Sequence, residues 1–93
     1  MTDKSDIKKE NMVQALEKTL GIVSTACKAC NISRDTHYRW LHTDVDYRAK
    51  VLKINSLALD FAESKLFEQI KKGTPAAIIF YLKTKGKSRG YSQ

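Results

Sequence analysis

Apolar positions recur at helical spacing along most of the chain, and no stretch alternates as a half-buried strand would. Met12, Val13, Leu16 and Leu20 form one stripe. They predict a first helix from about Ile7 to Leu20, ended by Gly21, after a polar and frayed start over residues 1–6. A second helix is expected from Ile22 or Val23 to Cys30. Its small residues, Thr25-Ala26-Cys27-Lys28-Ala29-Cys30, let another helix cross closely. Asn31 tolerates the left-handed backbone that a tight turn between helices needs. Ile32 resumes the apolar pattern, and Ser33 precedes a third helix that ends near His42. On that helix His37, Trp40 and Leu41 share one face, expected to be buried. Arg34, Asp35, Tyr38 and Arg39 share the other.

The next helix starts behind Thr43 or Asp44 as cap and runs without Gly or Pro to Lys72, where Gly73 stops it. A helix of that length spans about 40 Å. Val45, Leu52, Leu59 and Leu66 recur every seven residues, and Val51, Ile54, Leu57, Ala58, Phe61 and Ala62 widen the apolar surface beyond one stripe. Three short helices cannot cover both sides of such a helix. It is expected to pack on its own head at one side and on a second subunit at the other, rather than to be buried inside its own monomer. The heptad is too short and impure for a coiled coil. Thr74-Pro75 then opens a last helix, Thr as cap and Pro at the first helical position. Ala76-Ala77-Ile78-Ile79-Phe80-Tyr81-Leu82 is apolar all round and should fold back on the long helix or on a neighbour's. The candidate subunit contacts are Leu52, Leu59, Phe61, Leu66, Ile78, Ile79 and Phe80. Residues 84–93 read as a flexible basic tail. The expected class is all-α: a three-helix head over 1–43, a long helix and a short return helix over 44–83, then the tail.

Ninety-three residues allow one small domain with a marginal core, which oligomerisation would help. The formal charge of +7 and the pI near 9.5 point to an acidic partner, nucleic acid first and an anionic membrane second. No apolar run is long enough to span a bilayer, and Met1 to Asp6 is no signal peptide, so a cytosolic chain with reduced thiols is expected.

Charge gives the third helix its chemistry. Small residues, a turn residue, an aliphatic residue, a Ser cap and a basic aromatic helix together make the helix-turn-helix signature. Ser33 caps, and Asp35 suits the positive end of the helix dipole. Arg34, Tyr38 and Arg39 can meet base edges and phosphates, and Lys28, Ser33, Asp35 and Thr36 complete the candidate DNA surface. Lys83, Lys85, Lys87 and Arg89 form a cationic end without acidic residues, suited to clamping phosphates non-specifically. Two positions depart from the usual motif: Asn31 stands where Gly is usual, and His37 holds a core position that is usually aliphatic. An ordinary amphipathic helix with a solvated face, and a solvated terminus, are the bland alternatives.

Other constellations lead nowhere. Cys27 and Cys30 form a C-x-x-C, with His37 and His42 nearby, but the spacing is not that of a zinc finger. No βαβ context supports redox chemistry, and no Gly-rich phosphate loop is present. Asp60 and Glu63 sit among lysines on what reads as a solvated or inter-subunit face. No nucleophile and base are placed together. Neither an enzyme, a metal nor a cofactor is expected.

From about Leu16 to Tyr91 the chain resembles the short small-terminase subunits of tailed bacteriophages and prophages. The resemblance rests on three blocks: Ala26-Cys27-Lys28 through Trp40; Leu57-Ala58-Leu59-Asp60-Phe61-Ala62-Glu63-Ser64-Lys65-Leu66; and Ala77-Ile78-Ile79-Phe80-Tyr81-Leu82-Lys83-Thr84-Lys85-Gly86. It implies a non-catalytic partner in genome packaging. Such a subunit binds viral double-stranded DNA through helix-turn-helix heads. It assembles as a homo-oligomer, in rings, and hands the DNA to a large subunit that carries ATPase and nuclease. The setting implied is the cytoplasm of the infected bacterial host, with no membrane involved. Arg34, Tyr38 and Arg39 match the family's reading helix, and Asp44 to Leu82 its oligomerisation segment. Two other readings stay open: a transcriptional regulator or transposition-type DNA-binding domain, and an assembly protein whose helix-turn-helix serves protein contacts.

Overall fold

The computed structural model describes residues Asp3–Tyr91, and among these every regular element is helical. Five α-helices follow in order: α1 (Lys4–Lys18), α2 (Val23–Cys30), α3 (Arg34–Thr43), α4 (Val45–Lys71) and α5 (Pro75–Lys85), with a 3-10 turn at Lys87–Arg89. The protein is all-α, as the periodicity predicts. It divides into two compact units, one up to Leu59 and one from Asp60 onward, so α4 contributes to both.

In the first unit, α1 begins earlier than its apolar stripe. Asp3 caps it, its carboxylate accepting the Asp6 N–H at 2.8 Å. The segment expected to fray is therefore helical from Lys4; Met1 and Thr2 lie outside the described residues. The helix also ends earlier, at Lys18. Leu20 and Gly21 both turn left-handed, at φ 57° and 82°. That turn swings Leu20 out of the stripe and leaves it half exposed, while Met12 and Leu16 are fully buried.

α2 ends on Asn31 at φ 54° and ψ 46°. The Ile32 N–H reaches back to the Cys27 carbonyl at 3.1 Å, which closes the helix end and aims the chain into α3. Ser33 caps α3, accepting the Thr36 N–H at 3.1 Å. Asp44 alone separates α3 from α4. It caps α4 by accepting the Tyr47 N–H at 3.0 Å, and it holds Lys9 of α1 at 2.9 Å. That ammonium keeps the Asp44 carboxyl below the usual carboxylate range.

The core joins all four helices. Met12, Leu16, Ala26, Cys27, Trp40, Tyr47, Val51 and Ile54 are buried, with Val13, Ala15, Val23, Cys30, Ile32 and Leu41 packed against them. The side of α4 that enters this core is thus Tyr47, Val51 and Ile54. The heptad line lies elsewhere: Val45, Leu52 and Leu59 are each 60% exposed or more.

In the second unit no described residue is buried. Gly73, at φ 82°, ends α4, and Thr74-Pro75 opens α5. Thr74 does not cap through its hydroxyl; that group donates to Gln69 Oε1 at 2.8 Å. Ile79, Phe80 and Tyr81 stay about half exposed on α5, as do Phe61 and Phe67 on α4. Of residues 84–93, expected as a tail, the first are helix and turn, and Ser92 and Gln93 lie outside the described residues. α5 continues through Lys85, where Lys83 and Lys85 suit the negative end of the dipole and the Thr84 hydroxyl bonds the Phe80 carbonyl at 2.8 Å. The 3-10 turn follows, and the Tyr91 N–H returns to the Gly86 carbonyl at 3.2 Å.

Candidate nucleic-acid interface

Helix α3 is placed by what it buries. His37 is 1% exposed and Trp40 7%. The His37 ring packs edge-on against Tyr47 and Tyr38, and Trp40 packs edge-on against Tyr47. His37 Nδ1 and the Tyr47 hydroxyl are hydrogen-bonded at 2.7 Å inside the core. A histidine at a usually aliphatic position thereby has a core partner for its Nδ1. Burial pushes the His37 pKa down and the Tyr47 pKa up, so both groups are neutral near pH 7. Cys27 belongs to the same core, and burial raises its thiol pKa although Arg34 nearby opposes this. The C-x-x-C is packing material here, with Cys27 buried and Cys30 half-buried. Tyr47 escapes sequence reasoning. Nothing local marks one tyrosine on a long helix as the partner of a histidine one helix earlier.

With that face fixed, Ser33, Arg34, Asp35, Tyr38 and Arg39 are exposed and Thr36 is half-buried. Arg34, Asp35, Tyr38 and Arg39 share one side of α3, with Thr36 at its margin and Ser33 at the cap. Lys28 is exposed on α2. The left-handed Asn31 and the two residues after it form the whole connection between α2 and α3, which is the short turn of a helix-turn-helix.

The exposed residues form two flanks. At about 100° per residue, Arg34 and Tyr38 fall to one side of Asp35, and Thr36 and Arg39 to the other. On the first flank the Arg34 guanidinium lies over the Tyr38 ring at 6.0 Å. On the second flank a hollow of about 390 Å³ opens between α3 and the start of α1. Ser5, Lys8, Asn31, Ile32, Ser33, Thr36, Arg39 and Trp40 line it. Ser5 and Lys8 are the residues that sequence reasoning missed here; their signal was the Asp3 cap, which makes residues 4–8 helical.

Lys83, Lys85, Lys87 and Arg89, the other candidate cations, are all exposed at the end of the second unit. The candidate subunit contacts divide between the units. Leu52 and Leu59 are exposed in the first. In the second, Phe61, Ile79 and Phe80 are exposed and Leu66 and Ile78 half-buried. Among the described residues no helix is long and apolar enough to cross a membrane. Compared with known proteins, the chain matches no family model, no curated protein and no solved structure.

Proposed function

We propose that this chain is a non-catalytic DNA-binding protein that grips duplex DNA with α3 and assembles through α4 and α5. Its place, on this reading, is that of a small terminase subunit in phage genome packaging, passing DNA to a large ATPase and nuclease subunit in the bacterial cytoplasm. One observation carries the DNA reading: Arg34, Asp35, Tyr38 and Arg39 are exposed along one side of a helix whose other side is fixed by His37 and Trp40. A helix so presented after a three-residue turn has the form that enters a major groove, and the chain's charge of +7 favours phosphates. The assembly reading is supported by the exposed apolar side chains of α4 and α5, which exceed what scattered surface residues need. The packaging role rests on the three-block sequence resemblance.

Native mass spectrometry at several salt concentrations, with and without duplex DNA, tests this. A particle of several subunits that binds DNA with a steep salt dependence is the expected result. A DNA-binding dimer would favour a transcriptional regulator. An oligomer indifferent to DNA would favour an assembly protein.

A further inference from the structure

The hollow beside α3 has a composition that calls for an anion. Two of its lining side chains, Lys8 and Arg39, are cationic, and none is a carboxylate. Neither cation takes part in an ion pair among the described residues; the ion pairs there are Lys9–Asp44 and Lys65–Glu68. Two like charges bordering one space favour an anion between them. Ser5 adds a hydroxyl and Asn31 a side-chain amide around the same space; the Ser33 and Thr36 hydroxyls, hydrogen-bonded to each other at 2.8 Å, leave one O–H between them for a ligand. Ile32 and Trp40 close the wall on the core side. Two exposed cations beside hydroxyl groups are recognition chemistry for a phosphate oxygen, where Arg offers a fork and Lys a point charge.

We propose that this hollow is a phosphate seat, and that Arg39 holds a phosphate there together with Lys8 instead of reading a base. The opposite flank, Arg34 with Tyr38, and Asp35 between the flanks are left to meet base edges. This deepens the DNA reading above and rests on it for the source of the phosphate: a backbone phosphodiester. Free inorganic phosphate shares the chemistry, and the test separates the two.

The test has two arms. In the first, duplexes of several sequences are titrated over a range of salt with the unmodified protein, Lys8→Ala, Arg39→Ala, the double variant and Arg34→Ala. Removing each seat cation should lower the slope of log Kobs against log salt by about 0.9, and removing both by about twice that. Affinity should fall by the same factor on every duplex. Arg34→Ala should instead change the ratio between duplexes. If Arg39→Ala changes that ratio, or if neither seat variant lowers the slope while Arg34→Ala still weakens binding, the seat is refuted and the DNA reading stands. In the second arm, inorganic phosphate is titrated against chloride at matched ionic strength, with amide shifts followed by NMR. Saturable shifts confined to Ser5, Lys8 and Ser33 to Arg39, and lost in the double variant, support the seat. Shifts spread equally over Lys28 and the Lys83–Arg89 cations refute it. Saturable phosphate shifts without any DNA binding would keep the seat as an anion site and overturn the DNA reading.

Discussion

The two units of this chain treat apolar side chains in opposite ways. Up to Leu59 the chain interleaves polar and apolar positions, and it still buries eight hydrophobic side chains and a histidine. From Asp60 onward it includes its most continuously apolar stretch, Ala76 to Leu82, and no described residue there is buried. The difference lies in long-range geometry. The first unit has a left-handed turn at Asn31, a cap at Asp44 that also binds Lys9, and a hydrogen bond between His37 and Tyr47. Each ties one helix to another. The bonds of the second unit are local, such as Thr74 to Gln69, Thr84 to Phe80 and Tyr91 to Gly86. Burying a large apolar side chain contributes about 1.5–3 kcal/mol. For Phe61, Phe67, Ile79 and Phe80 about half of that contribution is unrealised within the chain and open to an intermolecular contact.

The contrast is broken most severely at Trp40. Trp40→Ala should cost the first unit about 3–5 kcal/mol, because the ring fills the space between α3 and Tyr47 and little can collapse into it. Phe80→Ala, at a side chain 56% exposed, should leave the melting of the first unit unchanged. Paired thermal melts followed by the fluorescence of the single Trp in Phe80→Ala, and by circular dichroism in both, make the comparison. Equal losses would mean that the two units do not differ as described.

Next in size is the buried hydrogen bond. Tyr47→Phe keeps the ring and removes the hydroxyl, leaving His37 Nδ1 without its partner, at a cost of about 1–3 kcal/mol. The same pair makes the first unit sensitive to acid. Burial holds the His37 pKa below its ordinary value. Below about pH 6.5 the unfolded chain therefore takes up a proton that the folded unit refuses. Stability is full above that range and falls as pH decreases, until the buried ring itself protonates. Asp44 works lower on the scale: its pKa is depressed by Lys9, so its contribution is present above about pH 4 and lost beneath it. Melting temperatures between pH 7.5 and 5 should fall for the unmodified protein and flatten for the double variant His37→Leu, Tyr47→Phe. An unchanged pH limb in that variant would remove His37 as its cause.

Local chemistry made much of this fold legible in advance. Ser33, Asn31, Gly73 and Thr74-Pro75 mark helix ends through their own backbone preferences, and each end falls where those preferences put it. The phase of α4 was not legible. Apolar residues occur on most of its sides, and only the position of α1 to α3 selects Tyr47, Val51 and Ile54 over the heptad line. The partner of His37 was hidden for the same reason. Leu20 misled because its periodicity continues past the point where the backbone turns left-handed. At the candidate interface, the outward set Arg34, Asp35, Tyr38 and Arg39 follows from helical spacing alone. Its division into two flanks does not, because the hollow needs Ser5 and Lys8 from α1.

Two glycines sharpen the comparison at smaller cost. Gly21 and Gly73 share a φ of 82°. A side chain at either is strained, by about 1–2 kcal/mol for a left-handed L-residue. Their surroundings differ: a Cβ at Gly21 would come within 2.5 Å of Asn55 Oδ1, whereas one at Gly73 would meet nothing. Gly21→Ala should lower the melting of the first unit by about 1–2 kcal/mol, with exposed Asn55 turning aside to relieve the contact. Gly73→Ala should leave that transition in place, since the strain falls where no core residue is held. A loss from Gly73→Ala as large as that from Gly21→Ala would show the two units unfolding as one.

The smallest expected change in folding is also the most informative about assembly. Leu59 and Phe61 are 63% and 49% exposed, and neither belongs to the buried core. Replacing both by Asp removes no core contact, so the melting of the first unit at low concentration should move by no more than about 0.5 kcal/mol. Two charges on a face covered by a second copy are a different matter, since each would be desolvated opposite apolar side chains. Sedimentation at tens of micromolar should therefore show the unmodified protein as an oligomer and the double variant as a smaller species. DNA affinity should fall with it, although Arg34, Tyr38 and Arg39 are untouched, because linked heads bind with a raised effective concentration and single heads do not. If the unmodified protein sediments as a monomer, the exposed apolar side chains of α4 and α5 serve some other partner, and self-assembly drops out of the proposed function. If both proteins form the same oligomer, assembly runs through a surface that excludes Leu59 and Phe61, and the half-buried Leu66 and Ile78 become the positions to change next.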